Sequence, residues 1–197
     1  PSVLEPLQHY MSQGISAELV AVDANGSIDQ AQFINAIGPA TRVVSVMRAN
    51  NETGHCFPVS ALARLARERG EQALIHCDAV QALGKLPVSF RELDVDLLSV
   101  SGHKLGALAG VGALVIAERV PLFPLLRGGA QEQRWRAGTE NTWGIVSLGV
   151  AAREVRTTLE DRMQSMNKSC QYLRHEISRA IPSARINTPL QDVLPNT

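Results

Sequence analysis

The stretch Val95–Lys104 constrains the fold of this chain more than any other. It reads Val-Asp-Leu-Leu-Ser-Val-Ser-Gly-His-Lys, and its apolar residues up to Val100 predict a buried strand. The strand pattern stops at Ser101-Gly102-His103, and Lys104 follows directly. Ligands of open α/β sheets bind beyond the carboxyl ends of the strands, so this lysine is placed to meet one. A desolvated lysine can lose its proton and attack a carbonyl, whereas a lysine that points into water is the ordinary alternative.

Strand and helix patterns alternate along most of the chain. Strands are predicted at Ala17–Val22, Arg42–Met47, Ala73–Cys77, Val95–Val100 and Gly112–Ala117. Four helices are predicted. The first runs from Val3 to a glycine stop at Gly14, and the second begins after the capping residue Asp29. The third spans Pro58–Gly70, and the fourth begins near Thr142. A turn is predicted at Asp23-Ala24-Asn25-Gly26. The alternation predicts an α/β fold, with a mostly parallel or mixed sheet and helices on both faces.

The last third of the chain has a different organisation. The Gly- and Arg-rich segment Pro121–Asn141 is irregular, which is typical of a functional loop. From Thr142, apolar residues recur at steps of three and four as far as Ile177, which fits either a coiled coil or one helix that links two domains. Arg185–Asn187 can begin a strand of a second domain. We therefore predict a large domain over residues 1–141, a linking helix over 142–181, and the start of a small domain over 182–197.

Composition narrows the classes of partner. The chain has 19 Lys plus Arg and 19 Asp plus Glu, so no charged field favours nucleic acid, and a small-molecule partner is expected. Its three cysteines include no C-x-x-C pair, which argues against disulfides and favours a cytoplasmic location. Neighbouring residues on a strand point to opposite faces, so His76, Cys77 and Asp78 are not expected to bind a metal together. We expect no membrane segment. A chain from Pro1 to Thr197 without an initiating Met is expected to be a piece of a longer protein.

Polar side chains follow several predicted strands: Asn50 and Asn51, Asp78 and Gln81, and the Ser101–Lys104 group. The carboxyl ends of parallel strands lie together, so these groups can converge on one pocket. Pyridoxal phosphate requires a lysine that can form a Schiff base, a carboxylate for the pyridine nitrogen, and donors for its phosphate. The residues offer all three.

Four motifs in this order resemble those of the cysteine desulfurases. They are Asn50-Asn51-Glu52-Thr53-Gly54, His76-Cys77-Asp78-Ala79-Val80-Gln81, Ser99-Val100-Ser101-Gly102-His103-Lys104 and Arg136-Ala137-Gly138-Thr139-Glu140-Asn141. These enzymes form part of the class V branch of fold-type-I pyridoxal phosphate enzymes, together with selenocysteine lyases. The resemblance implies the central part of the large domain of that fold, followed by its linking helix.

The resemblance also implies a role for each site residue. Lys104 would carry the cofactor and move protons, and Asp78 would pair with its ring nitrogen. Gln81 would bond the ring hydroxyl, with Asn51, or alternatively Asn50, beside it. Ser101 and His103 would bind the phosphate, and Thr139 would reach a phosphate across the interface of a homodimer.

By the same resemblance, the full protein would convert L-cysteine to L-alanine and pass sulfur to an enzyme persulfide. That sulfur would go to an acceptor or scaffold protein for iron–sulfur cluster or thiocofactor assembly. The resemblance implies that a ring-stacking histidine and one phosphate-binding turn precede this chain in the full protein. It also implies that the loop with the nucleophilic cysteine and a substrate-binding arginine follow this chain. This chain alone is therefore expected to be inactive. Alternatives are a selenocysteine lyase, another class V aminotransferase, or a non-catalytic domain for dimerisation.

Two positions depart from the family pattern. The chain reads Gly106-Ala107-Leu108-Ala109-Gly110 where the family has a turn of Gly-Pro-Lys-Gly type, and Ala130 replaces a glycine. The first departure is expected to loosen the loop beside the cofactor.

Overall fold

A computed structural model of the chain describes residues 2–23 and 25–197; Pro1 and Ala24 lie outside the described residues. The helices are α1 (Leu4–Met11), α2 (Gln30–Asn35), α3 (Val59–Arg69), α4 (Phe90–Leu93) and α5 (Thr142–Ala180). The strands are β1 (Val43–Met47), β2 (Leu74–Asp78), β3 (Leu97–Ser101) and β4 (Gly112–Ile116). Short 3₁₀ turns cover Gly102–Lys104 and Glu132–Arg134.

The four strands form one mixed sheet in the order β1-β2-β3-β4. β1, β2 and β3 run parallel, with Met47 beside Asp78 and Asp78 beside Ser99. β4 returns antiparallel to β3 across the short connection that contains Lys104. The three parallel strands therefore end at one edge of the sheet, and the predicted site residues from Asn51 to Lys104 lie at those ends or shortly after them.

The core lies between one face of the sheet and helices α2 and α3. Ile75, Cys77 and Leu98 from the sheet pack with Leu62 and Ala66 of α3. The apolar residues of α3 recur at steps of three and four, and Pro58 and Gly70 flank the helix as predicted. On the other face, β1 is exposed at Val43, Ser45 and Met47. The predicted class, a mostly parallel or mixed sheet with helices, is confirmed, although β1 has helical cover on one face alone.

A buried carboxylate fixes the start of β3. Asp96 is 1% exposed, and it accepts a hydrogen bond from the amide of Ile75 at 2.8 Å. Its two oxygens also form ion pairs with Arg67 and Arg119, the first at 3.3 Å. A charge this deeply buried is tolerated because it is paired and hydrogen-bonded. The cluster anchors the strand that leads to Lys104.

Three local features differ from the sequence-based expectations. The predicted strand Ala17–Val22 is wrong: these residues contain only an isolated bridge between Val22 and Ile28. A strand requires a partner, and Leu19 here is 63% exposed. Residues 185–187 form no strand either. Helix α4, capped by the Ser89 side chain, was not predicted.

Helix α5 confirms the predicted long helix. It spans 39 residues and begins after Asn141, whose side chain accepts a hydrogen bond from the amide of Gly144. α5 contacts the 3₁₀ turn Gly102–Lys104. The division into domains at residues 141 and 181 stays a prediction. Within the two described ranges, no helix is long and apolar enough to cross a bilayer.

Candidate cofactor site

The turn after β3 explains why glycine follows Ser101. The amide of Gly102 donates to the carbonyl of Val111 at 2.9 Å. A Cβ at position 102 would lie 2.7 Å from a side-chain methyl of Val111, so a larger residue would clash. The carbonyl of Gly102 then accepts from the amides of Leu105 and Ala107. These bonds turn the chain sharply and present His103 and Lys104 at the surface.

Ser101 and His103 form a hydrogen-bonded pair on this turn. The Ser101 hydroxyl oxygen lies 2.8 Å from Nδ1 of His103. Because Nδ1 is engaged with the serine, Nε2 of the exposed imidazole is left to meet a ligand. A hydroxyl and an imidazole in this arrangement suit an anionic group such as a phosphate.

Asp78 ends the neighbouring strand β2. One oxygen of its carboxylate, Oδ1, accepts a hydrogen bond from the amide of Val80 at 2.9 Å. This bond closes an Asx turn that holds the half-buried carboxylate at the strand end. Asp78 and Lys104 thus follow adjacent parallel strands.

Gln81 lies one turn further along the chain, and its side chain is also held. Its amide oxygen accepts a hydrogen bond from the ammonium group of Lys85 at 2.8 Å. Burial lowers the pKa of Lys85, and the positive charge of Lys104 lowers that pKa further. Lys85 therefore lies within electrostatic range of Lys104. The sequence analysis did not connect Lys85 with Gln81, because the contact is made across turns, with Gly84 at φ +85°, and not along a helix.

The structure gives different roles to the two asparagines after β1. The side-chain oxygen of Asn50 accepts hydrogen bonds from the amides of Glu52 and Thr53, at 2.8 and 2.9 Å. Asn50 therefore builds the loop, whereas Asn51 is exposed. Of the alternatives that the sequence left open, these contacts favour Asn51, and its role toward a ligand stays a prediction.

Thr139 is separate from these residues in a single copy of the chain. It is exposed within the irregular segment between β4 and α5. Along residues 2–23 and 25–197, no side-chain hydrogen bond connects it to the strand ends. Its proposed role across a dimer interface stays a prediction.

One hydrogen bond connects the Gly106–Gly110 segment to helix α5. The amide of Leu108 donates to the hydroxyl of Ser147 on α5 at 2.9 Å. A proline at this position would have no amide to donate to the serine. The expected loosening of the loop stays a prediction.

Three polar side chains, those of Ser45, His76 and Ser99, form a hydrogen-bonded row across the open face of the sheet. The sequence analysis did not predict this row. The hydroxyl oxygens of Ser45 and Ser99 lie 2.8 Å from Nδ1 and Nε2 of His76, respectively. Burial lowers the pKa of His76, although the nearby Asp78 charge acts in the opposite direction. A neutral imidazole can donate from one nitrogen and accept at the other, so both serines are satisfied.

Two of the cysteines have environments that suppress thiolate formation. Cys77 lies in the core, and burial raises the pKa of its thiol to about 12. Burial also raises the pKa of Cys56. Neither thiol is prepared to act as a nucleophile near pH 7. Among the residues described, no group of three His, Cys, Asp or Glu side chains is arranged to hold a metal ion.

The fold and the site together define an α/β enzyme scaffold with a lysine, a carboxylate and a hydrogen-bonded serine–histidine pair at one sheet edge. Residues 1–194 match the aminotransferase class-V family model, and the chain belongs to this family.

Several proteins of similar sequence are named cysteine desulfurases. The protein from Gluconacetobacter diazotrophicus is 43% identical over 186 residues, which cover 94% of this chain and 46% of that protein. The protein from Klebsiella pneumoniae is 41% identical over 197 residues, 100% of this chain and 49% of that protein. A solved structure of a NifS-like protein superposes with a TM-score of 0.91 at 35% identity, covering 98% of this chain and 52% of that one. The chain therefore spans about half the length of the relatives that it matches.

Proposed function

We propose that the protein containing this chain is a pyridoxal phosphate-dependent cysteine desulfurase. It converts L-cysteine to L-alanine and transfers the sulfur to a cysteine of the enzyme as a persulfide. The observation that carries the proposal is the placement of Asp78 and Lys104 at the ends of adjacent parallel strands. The names of the relatives support cysteine as the substrate rather than selenocysteine or the substrates of other class V aminotransferases.

The donor set fits pyridoxal phosphate. The cofactor, when bound, supplies an electron sink that withdraws electrons from the substrate. The oxygen of Asp78 that Val80 does not engage can hold the proton on the ring nitrogen. Ser101 and His103 can donate to the phosphate, and Gln81 and Asn51 can bond polar groups on the ring. Lys104 would hold the cofactor and, once released from it, would accept and return a proton at the substrate.

The proposed enzyme is a homodimer, with Thr139 at the phosphate of the neighbouring copy. Large apolar side chains near this segment support association, because Phe123 is 82% exposed and Trp143 is 81% exposed. A sulfur-acceptor or scaffold protein and a cytoplasmic location are parts of the same proposal. A non-catalytic dimerisation domain is the alternative, and uptake of the cofactor distinguishes the two.

The decisive experiment identifies the lysine that bonds the cofactor. Only Lys85, Lys104 and Lys168 are present in this chain. The full-length protein is incubated with pyridoxal phosphate and reduced with borohydride, and the modified peptide is then identified by mass spectrometry. We expect the label on Lys104, and we expect Lys104→Ala to abolish both the label and the visible absorbance.

Lys168→Ala serves as the matched control, because Lys168 is exposed on α5, away from the sheet edge. This variant should keep the label and the absorbance of the wild type. If the wild-type protein took up no cofactor, or if Lys85 carried the label, the assignment would fail. Cofactor uptake without alanine formation from cysteine would instead favour another class V substrate.

A further inference from the structure

The contact between Lys85 and Gln81 depends on two successive turns that follow β2. The amide of Leu83 donates to the carbonyl of Ala79 at 3.0 Å, and the amide of Leu86 donates to that of Ala82 at 2.9 Å. Gly84 lies between Gln81 and Lys85 with φ +85°, in the left-handed region that glycine adopts readily, and the chain changes direction there. Lys85 is consequently placed so that its ammonium nitrogen lies 2.8 Å from Oε1 of Gln81.

This contact fixes which end of the Gln81 amide is available to a ligand. A lysine ammonium has three N–H donors and no acceptor, so its partner must be the amide oxygen. The nitrogen of the Gln81 side chain, with two N–H groups, is then the end that remains. Without Lys85, the amide could rotate and offer its oxygen to the ligand instead.

The surroundings of Lys85 keep its side chain in place. The residue is half-buried, and the preceding Gly84 has φ +85° and packs against Leu105, directly after Lys104. The Lys104 charge acts on Lys85, so two cations share this edge of the sheet. Other ionisable side chains at this edge of the sheet are those of Asp78, of His103, and of Arg48, which follows the end of β1.

We propose that Lys85 is a positioning residue that turns the Gln81 amide so that its N–H groups face the cofactor. This inference rests on the proposed function. A donor and a nearby positive charge both stabilise a negatively charged oxygen, so the pair selects a ring oxygen in its deprotonated form. Lys85 and Gln81 thereby favour the form of the bound cofactor that has lost this proton. Loss of Lys85 therefore raises the pH at which the deprotonated form appears.

The first test follows the visible absorbance of the cofactor-bound protein as a function of pH. Lys85→Met removes the charge and the donor but keeps much of the apolar stem. We expect it to raise the pH midpoint by roughly one unit, and we expect Lys85→Arg to restore the midpoint of the wild type. Lys168→Met, the matched control, should leave it unchanged. A midpoint that is unchanged in Lys85→Met overturns the proposal.

A double-mutant cycle separates action through Gln81 from a direct effect of charge. If Lys85 acts through the amide, Lys85→Met should change the midpoint much less in a Gln81→Met background than in the wild type. Equal shifts in the two backgrounds would mean that the contact with Gln81 does not carry the effect, and would overturn the positioning role.

A measurement without cofactor keeps this inference distinct from the proposed function. The side-chain amide signals of Gln81 are observed by ¹H–¹⁵N NMR in the cofactor-free protein. Lys85→Met should shift them, while Lys168→Met should not. Failure of the wild-type protein to take up pyridoxal phosphate would reject the proposed function, whereas Gln81 signals that ignore Lys85 would reject the positioning role whatever the protein binds.

Discussion

At the scale of single residues, Asp78 divides its two carboxylate oxygens between structure and chemistry. Oδ1 holds the turn by accepting the Val80 amide, which leaves Oδ2 for the proposed ring nitrogen. Asp78→Asn can keep the turn through its amide oxygen but cannot hold the ring proton. We predict that the variant binds pyridoxal phosphate and forms alanine more slowly by orders of magnitude. Steady-state alanine assays at matched cofactor occupancy measure the effect, with the exposed Asp161→Asn as control.

Near-normal turnover in Asp78→Asn would show that the carboxylate takes no part in the mechanism.

The position of Asp78 itself was predictable, because a polar residue directly after an apolar strand pattern marks a strand end. The choice between Asn50 and Asn51 was not predictable, since both residue types suit a loop. The hydrogen bonds that use Asn50 to build the loop favour Asn51 for the proposed role, which stays a prediction.

At the scale of elements, Ser45, His76 and Ser99 connect three neighbouring strands by hydrogen bonds on one sheet face. Burial lowers the pKa of His76 from its ordinary 6.5, so the folded protein binds this proton less tightly than the unfolded chain does. The histidine therefore contributes stability above about pH 6.5 that is lost as the pH falls. When the pH is lowered from about 7.5 to about 5.5, we predict that the free energy of unfolding falls less for His76→Gln than for the wild type.

Urea unfolding at the two pH values gives this difference. His175→Gln is the control, because the side chain of His175 is 74% exposed on α5. An equal loss of stability in His76→Gln and in the wild type would show that the buried imidazole does not contribute to the pH dependence.

The sequence predicted those helices whose ends are marked by capping or helix-breaking residues. α3 lies between a proline and a glycine, and α5 begins at the cap Asn141. The wrong strand at Ala17–Val22 has suitable residues but lacks a neighbouring strand, and strand pairing is a long-range property. The contact between Gln81 and Lys85 was not predictable, because it depends on two turns that carry no apolar pattern.

At the scale of the whole molecule, the beginning of α5 and the segment before it carry apolar side chains without cover in a single chain. Trp143, Val146 and Val150 follow each other at helical spacing and are 81%, 62% and 61% exposed. Phe123 and Leu125 nearby are exposed to 82% and 87%. Exposed aromatic residues at this density are typical of protein interfaces, and Thr139 belongs to the same part of the chain.

We predict that Trp143→Arg weakens self-association of the full-length protein. A buried charge in place of an aromatic anchor should cost at least about 2 kcal/mol, which raises the dissociation constant roughly 30-fold. Sedimentation velocity across a concentration series measures this change. Tyr172→Arg is the matched control, because Tyr172 is 68% exposed near the other end of α5. An interface at the start of α5 would be contradicted if the wild-type protein sedimented as a compact monomer at micromolar concentration. Equal dissociation constants for the wild type and Trp143→Arg would contradict it as well. Either result would also contradict the proposed place of Thr139 at the phosphate of a neighbouring copy.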